Sequence, residues 1–313
     1  MARRSNRTAR RAPASSGAPT LPVGDVAIDT GTASVERDPD HAARVTLHVN
    51  GVPSSCIDLD DPGFLAFEYM QQMAAVIALV PAGPLRVLHL GAAGCALPRF
   101  VEHERPDSRQ LGVDIDARLL QLVRDWFALP RAPRLRLRAD DAGRALESLP
   151  PESFDVVVRD VFAGDRTPAH LASTAFAEHA HRVLRPGGLL LANCADRPPL
   201  AEARREVGTL AGVFGADAAA TGRLGAIAEP AILKGRRYGN VVLAAVRAAV
   251  DPEGPDGPDG PDGPDGPDDE QTQRDVEIDL RNPALGRALR ALAVPAHLIT
   301  GAELERFAAL PRR

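Results

Sequence analysis

The chain has 313 residues, 44% hydrophobic and 25% charged, with 27 Gly and 28 Pro, a globular composition with a proline excess. No run approaches the roughly 18–20 apolar residues of a membrane-spanning helix, and three cysteines (Cys56, Cys95, Cys194) without a CxxC pair exclude a disulfide scaffold or zinc knuckle and fit a reducing cytosol. The net charge of −5 hides two opposed segments, five Arg and no acid in residues 1–20 and nine acids and no base in residues 251–270. The rest of the chain is close to neutral and the whole chain has few aromatics, which excludes a nucleic-acid-gripping domain.

Residues 1–20 mix Arg, Ala, Ser and Pro without apolar periodicity and read as a disordered basic tail. Their Arg pairs lack the apolar core of an export signal. Residues 21–62 read as a small β domain, with strands Arg44–Val49 and Ser55–Leu59 around the hairpin turn Asn50-Gly51. A helix over Leu65–Val80 follows. Residues 63–250 then alternate short apolar strands (Val87–Leu90, Gln110–Asp114, Leu135–Arg138, Asp155–Asp160, Gly188–Asn193) with helices such as Ala117–Ala128 and Leu171–Leu184, and add a strand at Asn240–Val246. This alternation predicts a doubly wound, mostly parallel α/β sheet with helices on both faces. Five Gly-Pro-Asp triplets over Gly254–Asp268 are too few for a triple helix and predict an extended loop, residues 251–270, without chemistry of its own. Residues 271–313 complete the domain with helices Pro283–Leu292 and Ala302–Leu310.

Ligands of such a sheet bind beyond the carboxyl ends of the strands, where strand order reverses. Gly91-Ala92-Ala93-Gly94 after the first parallel strand forms a small-residue turn that lets backbone approach a ligand, with a helix N-terminus behind it. It departs from GxGxxG at Ala93, which argues against a dinucleotide and an NAD-dependent oxidoreductase. Asp114 ends the second strand 23 positions after Gly91, where a carboxylate can accept hydrogen bonds from both ribose hydroxyls of a nucleoside; Asp116 reads as the cap of the next helix. Asp140-Asp141 follows the third strand, suited to an adenine amino group, with helix capping the alternative role of Asp141. Asp160 ends the apolar fourth strand and can hold an ammonium group or accept its proton. His170, His179 and His181 gather near one helix, but the two-residue offset of the last pair turns them to different sides, so no metal site is expected. Cys95 sits at a helix N-terminus that could lower its pKa, or serves as a small filler.

These elements, in this order, resemble the class I adenosylmethionine-dependent methyltransferase fold, and within it the spermidine synthase (polyamine aminopropyltransferase) family. The resemblance runs from about Val45 to Val246. It implies a Rossmann-like seven-stranded sheet with a small N-terminal β-hairpin domain over the active site. It implies a donor site of Gly91, Ala92, Gly94, Asp114, Ile115, Asp140 and Asp141, a catalytic and substrate-binding Asp160, and Tyr69 on the lid-side segment that contacts substrate. The expected donor is adenosylmethionine or its decarboxylated form and the expected acceptor a small-molecule amine; no metal, nucleic acid or membrane is expected to take part, a cytoplasmic location is expected, and the resemblance allows a homodimer. Four positions depart from the family pattern. Gly94 replaces an Asp in the glycine loop, Ala163 replaces the second Asp of the catalytic run, Ser54 replaces the hairpin Gln, and Met70 replaces the His after the matched Tyr. The lost groups are those implied to hold substrate ammonium groups, so methyl transfer from adenosylmethionine stands beside aminopropyl transfer. A nucleoside-binding scaffold without activity is the alternative.

Overall fold

The computed structural model describes residues 21–249, apart from residue 165, and residues 278–309. The basic tail and the Gly-Pro-Asp segment lie outside the described residues. The N-terminal part is a four-stranded antiparallel sheet, β1 (Val26–Ile28), β2 (Gly31–Arg37), β3 (Arg44–Val49) and β4 (Val52–Asp58), paired in that order. Only the β3–β4 hairpin is legible in sequence. Its turn residues Asn50 and Gly51 both take positive φ, 52° and 76°, as a two-residue hairpin turn demands. The β1 strand is three residues long and β2 buries only Ala33, so neither carries a strong apolar alternation.

The main sheet has eight strands, one more than expected. They are β5 (Arg86–Leu90), β6 (Arg109–Asp114), β7 (Leu135–Ala139), β8 (Phe154–Arg159), β9 (Leu184–Asp196), β10 (Leu224–Ala228), β11 (Gly239–Val246) and β12 (His297–Thr300), in the spatial order β12-β10-β11-β9-β8-β5-β6-β7. The five strands from β9 to β7 are parallel, and β11, β10 and β12 pair antiparallel. Two strands, β10 and β12, are not among the six read from the sequence; β12, with four residues, is too short to signal itself. The C-terminal segment therefore supplies an edge strand as well as helices.

Helices α1 (Glu68–Ile77), α2 (Ala96–Glu104), α3 (Ala117–Phe127), α4 (Ala142–Ser148), α5 (Thr174–Val183), α6 (Ala201–Phe214), α7 (Pro230–Leu233), α8 (Pro283–Ala291) and α9 (Gly301–Ala308) follow chain order. Where one helix was expected from Leu171, a 3-10 turn (Ala169–Ala172) precedes α5, because the Ser173 hydroxyl caps a new start at the Phe176 N–H. The two-residue period of the strands sorts side chains into two cores. Val87, Val156, Val158, Leu189 and Leu191 pack on one face with α1, α2, α3, α8 and the N-terminal sheet. Leu88, Leu90, Val157, Leu190 and Ala192 pack on the other with α4, α5, α6 and α9. Burial on both faces is why these strands read as unbroken apolar runs. Among the described residues no helix is long and apolar enough to cross a membrane.

Candidate active site

Strand order reverses between β5 and β8: the chain winds from β5 outward to β7, then returns on the other side of β5. The carboxyl ends of these two strands are in contact. A Cβ on Gly91, which has φ of +85°, would lie 2.1 Å from the Asp160 carbonyl oxygen. Gly91→Ala is therefore expected to cost about 1–3 kcal/mol through strain at a positive φ and overpacking against backbone, read as a lowered midpoint in thermal unfolding.

The loop after β5 is held by its own surroundings. The Gly91 and Ala92 N–H groups donate to the Val113 carbonyl (2.9 and 3.2 Å), the Ala93 N–H to Asp114 Oδ2 (3.0 Å), the Gly94 N–H to Ser55 Oγ (3.0 Å) and the Cys95 N–H to the Ala92 carbonyl (2.7 Å). The Ser55 contact crosses from β4 and could not be read from sequence spacing. A Cβ at position 94 would lie 2.7 Å from Ser55 Cβ, so the N-terminal sheet closes directly over this glycine. Cys95 is buried and its thiol is pushed up to about 12, chiefly by burial. It serves as the small filler, not as a lowered-pKa thiol.

Asp114 ends β6 beside this loop. Its Oδ1 accepts the Asp116 N–H (3.1 Å), and burial holds its carboxyl above the ordinary range against the N–H bonds from Ala93 and Asp116. Each carboxylate oxygen keeps a lone pair for a further donor. The next residue, Ile115, is 64% exposed, an apolar side chain standing free at the strand end. Asp116 caps α3 through the Leu119 N–H (2.7 Å) and also accepts both the N–H and hydroxyl of Thr30, which fastens the β1–β2 turn to α3. Asp140 and Asp141 divide their roles. Asp140 is held by Arg138 (2.5 Å) and Arg144 (3.4 Å). Asp141 caps α4 at the Arg144 N–H and meets His170 Nε2 at 3.2 Å. His170 thus faces Asp141, while His181 packs edge-on against Phe214.

Asp160 and Tyr69, 91 residues apart in sequence, meet at the carboxyl end of β8. The Tyr69 phenol donates to Asp160 Oδ2 at 2.8 Å, and Asn193 Nδ2 donates to Asp160 Oδ1 at 2.9 Å. Burial raises the Asp160 carboxyl above its ordinary value, opposed by those two bonds and by the Arg159 charge. Burial, and then the Asp160 charge and bond, raise the Tyr69 phenol well above 10, so it remains a donor. Beneath them the fully buried Arg159 pairs with Glu206 through both guanidinium ends and also donates to the carbonyls of Leu171 (2.8 Å) and Asn193 (2.9 Å). Sequence reasoning missed Asn193 and Glu206. Asn193 carried one available signal, a polar residue near the carboxyl end of an apolar strand, as at Asp160. Of the departing positions, Ser54 turns its hydroxyl to the Val52 carbonyl (3.0 Å), Met70 lies in the core, and Ala163 bridges to Arg166.

A mostly parallel sheet reversed at β5/β8, with an acid ending β6 and a half-buried acid after β8, is the architecture of a class I methyltransferase-like transferase fold. The solved structure of a probable spermidine synthase from Corynebacterium glutamicum is 33% identical to this chain with a TM-score of 0.75, covering 94% of this chain and 96% of its own. The chain belongs to the spermidine synthase family of transferases. A polyamine aminopropyltransferase from Chromobacterium violaceum is 28% identical over 139 residues, 44% of this chain and 53% of its own. The mouse eEF1A lysine and N-terminal methyltransferase is 28% identical over 152 residues, 44% of this chain and 22% of its own. The chain thus spans about half the length of the first of these curated relatives and a smaller share of the second. A spermidine synthase solved with the transition-state analogue AdoDATO shares the fold at 13% identity and a TM-score of 0.55. No protein-family model matches the chain.

Proposed function

We propose that the protein transfers an aminopropyl or methyl group from an adenosyl sulfonium donor, adenosylmethionine or its decarboxylated form, to a small-molecule amine, with Asp160 as the base. The observation that carries this reading is a half-buried carboxylate at the switch point whose two oxygens are oriented by neutral donors, Tyr69 and Asn193, while the neighbouring Arg159 is paired with Glu206. Such a carboxylate keeps lone pairs free, and its bonds among the described residues come from neutral groups, so an incoming ammonium group supplies a counter-charge and Asp160 takes its proton.

The residues present suit the donor. Asp114 has a lone pair on each oxygen for the ribose hydroxyls, Ile115 offers an exposed apolar surface to an adenine face, and Asp140 and Asp141 stand at the end of β7 for its edge. The donor supplies a carbon made electrophilic by an adjacent sulfonium: the nitrogen–carbon bond forms as the carbon–sulfur bond breaks, and sulfur leaves with the electron pair as a thioether. The chain contributes alignment, which alone lowers such barriers by several kcal/mol, and removal of the amine proton.

Gly94 bears on which donor is used. Gly94 has no side chain, and a Cβ there would already lie 2.7 Å from Ser55 Cβ, so a cationic donor tail has no anionic partner from this residue and the carboxylate of adenosylmethionine meets no repulsion from it. This favours adenosylmethionine. Calorimetry with adenosylmethionine, its decarboxylated form and methylthioadenosine tests both levels. All three are expected to bind, with adenosylmethionine at least as tight as the decarboxylated form. A clear preference for the decarboxylated donor removes the Gly94 argument, and failure of methylthioadenosine to bind removes the whole reading. Binding without turnover across a panel of amines would instead mark a scaffold that has lost its activity.

A further inference from the structure

Helix α8 buries Leu285 and Leu289 and leaves Arg287 and Arg290 exposed. Three positions apart, the two arginines are neighbours on one face of the helix. Arg290 lies back along it: a Cβ on Gly286 would come within 3.3 Å of the Arg290 Nη1. Beside them a cleft of about 510 Å³ opens between α8 and β12, with the buried Leu289 and Ala296 in its wall and Arg281, Arg287, Arg290 and His297 around it. No acidic residue lines it among the described residues. Arg281 is neutralised by Asp279, which it holds through Nε and Nη2, and His297 stands 3.8 Å from the Glu303 carboxylate. Arg287 and Arg290 have no carboxylate partner among the described residues, so the cleft presents two uncompensated positive charges.

We propose that this cleft is a docking surface for the chain's own acidic Gly-Pro-Asp segment, residues 251–270, a role independent of the transfer reaction. The segment carries nine acids and no base, the charge complement of a cleft with two unpaired arginines and no acid. It is also tied to the cleft by the chain itself. Ile278 is the first described residue after it, and Leu280 and Arg281 already line the cleft. Glu270 stands eight positions before Ile278, a reach of up to about 29 Å. Helix α8 is only about 13.5 Å long. One exposed ion pair contributes little by itself, but so short a tether supplies the partner at millimolar effective concentration. Docked in polyproline II form, with three residues and about 9.3 Å per turn, the repeat would align Asp256, Asp259, Asp262, Asp265 and Asp268 in one row toward the arginines. Its prolines would form a second row suited to the apolar wall, and their fixed φ reduces the entropy lost on docking.

A synthetic peptide of residues 251–270, titrated calorimetrically at low ionic strength, tests this. It is added to the full wild-type chain and to a full chain whose residues 251–270 are replaced by Gly and Ser at the same length. The replaced chain is expected to bind the peptide, and the wild type to bind it at least about fivefold more weakly, because its own segment competes at millimolar effective concentration. Raising the salt to about 1 M, where the screening length falls to ~3 Å, is expected to abolish the binding. Adding Arg287→Glu and Arg290→Glu to the replaced chain is expected to weaken it at least about tenfold. Arg287→Lys with Arg290→Lys keeps the charge and should retain most of it. Both positions are exposed, so an unchanged thermal midpoint is expected in each variant. Binding that survives the two charge reversals assigns the acidic segment to another surface, such as the arginines of residues 1–20, and overturns the proposal. Equal binding to the wild-type and replaced chains overturns it as well, as does the absence of binding to both.

Discussion

Replacing Asp160 by Asn is expected to lower turnover by about 10²–10⁴-fold at saturating substrates, the range a positioned base contributes, while methylthioadenosine binds within a few-fold of wild type. The side chain stays nearly isosteric, and its oxygen can still accept from Tyr69 or Asn193, so the loss falls on proton removal. The pH dependence carries a sign. Because burial raises the Asp160 carboxyl above its ordinary value, the acid limb of kcat/KM lies above the usual carboxylate range, and it disappears in the Asn variant. Stability moves the other way. A carboxyl whose pKa is higher folded than unfolded contributes stability that is complete below the unfolded value and lost as pH rises through the folded one. Ionised Asp160 therefore opposes folding at neutral pH, and Asp160→Asn is expected to melt at the wild-type temperature or above it at pH 7. Retained turnover in that variant would remove the base from the mechanism.

Glu206→Ala is expected to cost about 3–5 kcal/mol, because it leaves the Arg159 guanidinium, fully buried between the sheet and α6, without its counter-charge. In a chain of this size that lowers the thermal midpoint by about 10 °C. Glu206→Gln retains one hydrogen bond and should lose less. Arg159→Met combined with Glu206→Leu should recover most of the loss, since an apolar pair of similar volume carries no desolvation penalty. If the double replacement melts no higher than Glu206→Ala, the cost arises from packing and not from an orphaned charge.

The sequence announced some parts of this architecture and concealed others for physical reasons. The parallel strands were visible because both faces of β5, β8 and β9 are buried, which leaves short apolar runs bounded by turns. Gly91, Asp114 and Asp160 stood out because each interrupts such a run at the end where ligands bind. Tyr69 was reached only through the family resemblance. The Arg159–Glu206 pair joins residues 47 apart, and Glu206 lies in a helix where Glu202 and Arg205 carry ordinary exposed charges, so only packing distinguishes it. The Ser55–Gly94 contact joins two sheets and depends on how β4 lies over α2, which no local spacing encodes. The short strands β10 and β12, five and four residues long, both escaped the sequence reading.

The amides from Gly91 through Cys95 are all engaged, by Val113, Asp114, Ser55 and Ala92. Loops that grip ATP or a nucleotide cofactor do so by leaving such amides turned outward as a cradle for anions. This loop offers none from that run. Any adenosine compound carrying a phosphate chain would bury its charge here against an already satisfied backbone and the acid at Asp114. On the proposed reading, an adenosine compound with a phosphate chain at its 5′ carbon finds no free amide in this run, which disfavours nucleotides such as ATP as ligands.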